Sequence, residues 1–207
     1  MEGTRATKRA DRQRHRIASV AIVGYTNAGK SSLLNRLTHA GVLVEDALFA
    51  TLDPTTRRTS AADGRVYTLT DTVGFVRHLP TDLVEAFRST LEETMDADLL
   101  VHVVDGSDAD PLGQIAAVHE VLNDVGAGDR AEQLVVNKID RADEDVLRVL
   151  ASQFPDAIFV SARTGQGLDE LRAVIERRLP TPQSEVSVLL PWDRGDLLDR
   201  IHREGEL

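Results

Sequence analysis

One segment constrains this chain more than any other: Gly24-Tyr25-Thr26-Asn27-Ala28-Gly29-Lys30-Ser31, which has the form G-x-x-x-x-G-K-[ST]. It follows the apolar run Ile17–Val23 and precedes Leu33, Leu34 and Leu37, which recur at helical spacing from Lys30 to Thr38. A loop of this composition between a strand and a helix is built to hold phosphate. Its glycines let the backbone wrap an anion with N–H groups pointing inward, and the helix N-terminus adds the positive end of its dipole. Lys30 is placed to neutralise β- and γ-phosphate oxygens, and the Ser31 hydroxyl is a hard oxygen ligand suited to Mg²⁺. The expected nucleotide contacts here are Asn27, Ala28, Gly29, Lys30, Ser31 and Ser32. The loop alone does not choose between adenine and guanine.

Around it, apolar runs alternate with helical periods, the pattern of an α/β fold. Val66–Thr70 reads as a strand, with a weaker one near Arg57–Ala61. Leu99–Val104 is continuously apolar, as a strand buried on both faces of a parallel sheet must be. Gln133–Val136 and Ala157–Val160 complete the strand set. Helices are expected after Pro80, where Leu83, Phe87, Leu91 and Met95 fall four apart, and after Asp110-Pro111, an N-cap followed by a first-turn proline. A last core helix is expected over Leu168–Leu179. The predicted fold is α/β, a P-loop NTPase with a mostly parallel, doubly wound sheet flanked by helices over residues 17–180. Residues 1–16 form a basic linker stump. Residues 181–207 form a short C-terminal extension with a strand (Val186–Leu190) and a helix (Asp196–His202).

Four further segments choose the base and complete the site. Asn137-Lys138-Ile139-Asp140 follows a strand at the carboxyl edge, where such sheets bind ligands. The Asp140 carboxylate can accept from guanine's N1–H and its exocyclic amine; adenine lacks the amine and would leave the acid unpaired, at a cost of several kcal/mol. Lys138 can lay its stem over the base and Asn137 can brace the loop. Ser161-Ala162, with Arg163 beside it, follows the last core strand, and the Ala162 N–H is placed to donate to guanine O6. Asp71-Thr72-Val73-Gly74 fits D-x-x-G, with Asp71 near Mg²⁺ and the Gly74 N–H sensing the γ-phosphate. Phe49–Thr56 offers Thr51, Thr55 and Thr56, one of which should close over the γ-phosphate and ligate Mg²⁺. Five elements in this order predict a GTPase that hydrolyses GTP to GDP and phosphate.

Composition excludes several alternatives. The chain has no cysteine, so disulfides and thiolate metal sites are ruled out. Its longest apolar stretches are far too short to cross a bilayer, and the polar, basic start is no secretory signal. A cytoplasmic monomer is expected. The net charge of −10 is uneven: residues 1–16 carry +4, leaving −14 elsewhere. The body is therefore a poor nonspecific nucleic-acid binder. The arm reads as a solvated tail, an RNA contact or the stump of a longer helix. The six histidines show no metal-ligand spacing, and His102 reads as a core histidine.

The segments Gly24–Leu37 (GYTNAGKSSLLNRL), Leu48–Arg58 (LFATLDPTTRR), Asp71–Leu91 (DTVGFVRHLPTDLVEAFRSTL) and Asn137–Asp140 resemble the HflX family of GTPases. The likeness spans roughly residues 12–205. It implies that Thr51, in FATLDPT, is the switch threonine, so the implied catalytic set is Lys30, Thr51 and Gly74 and the metal set Ser31, Thr51 and Asp71. It also implies GTP-dependent binding to the large ribosomal subunit. HflX proteins usually carry an N-terminal domain and helical linker, of which Arg5–Arg16 looks like the last turns. Where Ras-like GTPases place a water-orienting glutamine, this chain has Phe75, so slow intrinsic turnover is expected; the alternative is that Phe75 packs the switch. If exposed, Phe75, Val76, Leu79 and Pro80 would form a partner surface. Asn27 stands where some glutamine-lacking GTPases hold K⁺, or it hydrogen-bonds within the loop. A GTP/GDP switch gripping a non-ribosomal partner is the alternative function.

Overall fold

The computed structural model describes residues 17–38, 55–75 and 96–180, with positions 195 and 197. The chain divides into one unit of Ile17–Pro180 and a second of Met1–Arg16 with Thr181–Leu207; the first carries the fold described below. In order it contains β1 (Ala18–Gly24), α1 (Lys30–Thr38), β2 (Thr55–Ser60), β3 (Val66–Asp71) and β4 (Leu99–Asp105). Then follow α2 (Pro111–Asp124), β5 (Glu132–Asn137), α3 (Glu144–Gln153), β6 (Ile158–Phe159) and α4 (Leu168–Arg178).

The six strands form one sheet in the order β2-β3-β1-β4-β5-β6. All pairs are parallel except β2 with β3, which pair antiparallel. The central strands are apolar because both faces are covered. Val20, Ile22, Leu69, Leu99, Val101 and Val103 pack with Leu33, Leu34 and Leu37 of α1 and Leu171 and Ile175 of α4. On the other face Ala21, Val23 and Leu100 meet Val118 and Leu122 of α2, while Val104 and Val136 meet Ile115 and Leu150. Leu33 and Leu34 are fully buried, each contributing about 2 kcal/mol by removal from water.

β2 reads Thr-Thr-Arg-Arg-Thr-Ser and is largely exposed. It lies at the sheet edge, so it needs no apolar face, which is why its sequence signal is weak. β6, at the opposite edge, is two residues long where four were expected. α2 starts as predicted, with the Asp110 carboxylate accepting from the Gly113 N–H at 2.9 Å. α3 was not anticipated, although Asp143 caps it and Val146, Leu147 and Leu150 point one way into the core. The helix expected after Pro80, the basic arm, the C-terminal strand and all of the C-terminal helix but position 197, which is helical, lie outside the described residues.

His102 is a core histidine, with its ring fully buried. Its Nδ1 lies 2.7 Å from Glu132 Oε1, and His119 Nε2 lies 3.0 Å from the same oxygen. Sequence spacing could not reveal this cluster because β4, α2 and β5 each supply one member. The three ligand atoms lie within 4.8 Å of one another. His102 Nε2, however, has no hydrogen-bond partner. A metal on Nδ1 would force the proton onto that nitrogen and bury an unpaired N–H, so the arrangement suits a proton-sharing network better.

Burial pushes the His102 ring below its ordinary value, against the pull of Glu132. For Glu132, burial works upward, but the His102 and His119 hydrogen bonds and charges outweigh it and hold the carboxyl at about 2. Both groups bind protons more weakly folded than unfolded, so both cost stability on acidification. The His102 contribution is complete above pH 6.5 and declines below it. The Glu132 contribution is complete above pH 4.5 and is lost as pH falls toward 2. Urea unfolding should show stability falling from pH 7 to 4. Glu132→Gln should cost about 2 kcal/mol at pH 7 and flatten the acid limb below pH 4.5.

Candidate functional site

The sheet places its carboxyl ends together. Ile22 is level with Asp71, Gly24 with Val103, and Asp105 with Asn137. β1 lies between β3 and β4, which follow it in sequence on opposite sides, so the strand order reverses there and a crevice opens where β1 ends. The loop Gly24–Ser31 occupies that crevice, between β1 and α1.

Two glycines there have steric reasons. Gly24 has φ +150°, and a Cβ on it would strike the Val103 carbonyl. Gly29 has φ +94°, and a Cβ on it would strike the Asn137 side-chain amide. Asn27 is left-handed at φ +62°, a conformation asparagine tolerates. The segment Asp71–Phe75 is zipped to this loop: Phe75 N–H donates to Gly24 O at 3.0 Å, and Thr26 N–H to Phe75 O at 2.9 Å. A side chain at Gly74 would press within 2.7 Å of Thr26 Cα and 3.0 Å of Lys30 Nζ. Phe75 is 3% exposed and packs with Ala21, Val23 and Val73. It is therefore a core residue and not part of an exposed partner surface; residues 76–80 lie outside the described ones.

Lys30 is buried at 6% exposure and donates to the Tyr25 carbonyl at 3.0 Å. Burial lowers its ammonium to about 8, and the nearby Asp71 charge works the other way. Ser31 Oγ donates to Asp71 Oδ2 at 2.5 Å, joining the two described metal candidates. Ser32 stands beside them in the first turn of α1, and Ala28 is fully buried. Thr55 and Thr56 are ladder residues of β2, opposite Asp71 and Thr70. Thr51 lies outside the described residues.

The second half of the site begins where β5 ends. Asn137 is buried, and its amide bridges two loops: Nδ2 donates to Ala28 O at 2.9 Å, and Oδ1 accepts from the Ala162 N–H at 3.0 Å. Lys138, left-handed at φ +62°, reaches back to Asn27 O at 2.8 Å and Asp105 Oδ2 at 2.6 Å. Asp140 Oδ1 accepts from Ser161 Oγ at 2.6 Å. The Arg163 guanidinium lies 2.9 Å from Asp140 Oδ2 as an ion pair. The Ser161 hydroxyl and then Arg163 hold the Asp140 carboxyl below its ordinary value, so it stays ionised.

Two contributors to the site carry little or no signal in the sequence. Asp105, the partner of Lys138, is marked only by its place at the end of β4. Arg36 gives no sequence signal at all. Its Nε donates to Ala162 O at 2.8 Å and its Nη2 to Arg163 O at 2.5 Å, across more than a hundred residues.

The model of the 50S ribosome-binding GTPase family matches residues 19–138. The chain belongs to that family. Within it, the similarity is to HflX GTPases. The GTPase HflX of Caldanaerobacter subterraneus is 49% identical over 207 residues, 100% of this chain and 47% of its own length. That of Lacrimispora saccharolytica is 46% identical over 204 residues, 98% of this chain and 48% of its own. The chain thus spans about half the length of the curated relatives it matches. Among solved structures, a GTP-binding protein from Sulfolobus solfataricus in complex with GDP is 29% identical with a TM-score of 0.61, covering 78% of this chain and 52% of that one.

Asn137→Ala removes both bridges and leaves buried partners behind. It should lower the unfolding free energy by about 2–3 kcal/mol, and hydrogen exchange at the Ala162 amide should accelerate. An unchanged exchange rate would show that Asn137 does not hold that loop.

Proposed function

We propose that this chain binds GTP with Mg²⁺ and hydrolyses it to GDP and phosphate, as the nucleotide-binding domain of a GTPase that acts on the large ribosomal subunit. The observation that carries the reading is the convergence at one sheet edge of a phosphate loop and a buffered, ionised Asp140, bridged by Asn137. The family description and the HflX relatives support the ribosomal part.

Ser31 and the buried Asp71 offer hard oxygens side by side, a donor set that fits Mg²⁺. With Thr51 they would hold the ion, which neutralises phosphate charge when bound. Lys30 would exchange the Tyr25 carbonyl for phosphate oxygens, and their charge favours its ammonium form. Gly74 would present its N–H to the γ-phosphate from a position where no side chain fits. Asp140 would exchange Arg163 for the guanine N1–H and amine while Ser161 keeps it oriented. Guanine O6 would share the Ala162 N–H with Asn137 or displace it. The contacts thus assigned to nucleotide are Asn27, Ala28, Gly29, Lys30, Ser31, Ser32, Asn137, Lys138, Asp140, Ser161, Ala162 and Arg163.

Phe75 is held in the core by its own ring and cannot orient an attacking water. Intrinsic turnover is therefore slow, and the activating group comes from the partner or from a monovalent cation such as K⁺ near Asn27. Among the described residues no helix is long and apolar enough to cross a membrane, which accords with a cytoplasmic site of action.

Phosphate release from GTP, measured with and without purified large ribosomal subunits, tests this reading. Stimulation by the subunit is expected; slow turnover with no response would redirect the search to another partner. Asp140→Asn should weaken GTP by about 100-fold while improving xanthosine triphosphate, since the amide can donate to the 2-oxo group. Equal affinity for GTP before and after the change would remove Asp140 from base selection.

A further inference from the structure

The loop that follows β6 is held from two directions. From the base side, Asn137 takes the Ala162 N–H, while Ser161 Oγ donates to Asp140 and accepts from the Thr164 N–H at 3.1 Å. From the phosphate side, Arg36 takes the carbonyls of Ala162 and Arg163. Both peptide groups flanking Ala162 are therefore anchored, one to β5 and one to α1.

The origin of the second anchor matters. α1 begins at Lys30 and Ser31, which the proposed function assigns to the phosphates and Mg²⁺, and Arg36 lies under two turns further along the same helix. A helix of this length is a rigid rod. Its N-terminus sets where the phosphates sit, and its Arg36 sets where the Ala162 loop sits relative to them. A guanidinium is suited to this task because its donors form a rigid planar fork that can meet two carbonyls at once; a lysine offers only a point charge on a flexible stem. The loop makes its own internal bonds, such as Gly165 N–H to Ser161 O at 2.8 Å. These preserve its shape but not its distance from α1.

We propose that Arg36 is a positioning residue for base binding: it clamps the Ala162–Arg163 carbonyls from the phosphate-gripping helix and so fixes the spacing between phosphate and base subsites. This rests on the guanine-nucleotide reading above. Arg36 touches no nucleotide atom in this scheme; it acts through the Ala162 loop. The consequence is specific. Loss of the clamp weakens every nucleotide whose base carries a 6-oxo group, because that group meets the Ala162 loop. It leaves the contribution of the 2-amine, read by Asp140, in place. It also leaves the phosphate grip in place.

The test uses the full chain and its Arg36→Ala, Arg36→Lys and Asp140→Asn variants, with Kd measured for fluorescent GDP and, by competition, for IDP and inorganic tripolyphosphate. For Arg36→Ala, GDP and IDP should weaken by the same factor, about fivefold, with tripolyphosphate unchanged. Arg36→Lys should recover part of the loss. Asp140→Asn should instead change the GDP-to-IDP ratio. Unchanged GDP affinity in Arg36→Ala would overturn the proposal. So would a parallel loss of tripolyphosphate, which would make Arg36 a support of the phosphate loop or of the whole fold. Failure of the wild-type chain to bind GDP, or an unchanged ratio in Asp140→Asn, would instead overturn the guanine-site reading and this proposal with it.

Discussion

The amide of Asn137 is the contact on which the site's geometry depends. It is buried at 1% exposure, and it gives its donor to the phosphate loop and its acceptor to the loop after β6. An amide is the side chain for this position because it offers a donor and an acceptor on one rigid plane. A carboxylate would be acceptor-only and would repel the Ala28 carbonyl. The bridge also explains Gly29, whose missing side chain is the space that the Asn137 amide occupies. Three loops distant in sequence thus become one surface.

Electrostatics in that surface follow from the same crowding. Burial disfavours the Lys30 ammonium, and the Asp71 charge offsets only part of the cost. A highly charged phosphate chain would supply the missing counter-charge. Asp140 faces the opposite situation: the Ser161 hydroxyl and the Arg163 guanidinium keep it ionised, so it stands as a hydrogen-bond acceptor. The apolar Phe75 belongs to neither system. Its backbone ties the D-x-x-G segment to the phosphate loop while its ring fills the core beneath. In this chain, the position after that glycine serves the fold.

Much of this was legible in the residues because local physics writes it there. Strand–glycine–helix order marks the phosphate loop, continuous apolar runs mark strands covered on both faces, and Asp110-Pro111 marks a helix start. Polar edges were harder. β2 carries no apolar pattern because it has no face to bury, and α3 is marked only by its Asp143 cap and a short apolar side of Val146, Leu147 and Leu150. The histidines showed no spacing rule because His102, His119 and Glu132 meet from three separate elements.

Sequence by itself determined the G-x-x-x-x-G-K-S loop between strand and helix and the α/β architecture, since both rest on residue types at short, fixed separations along a loop, a strand or a turn of helix. Only the tertiary structure decided which partners those residues keep. Arg36 meets Ala162 across 126 positions, Glu132 sits between two imidazoles, and Phe75 turns inward. None of these follows from periodicity, because each depends on where the sheet order β2-β3-β1-β4-β5-β6 brings one loop against another.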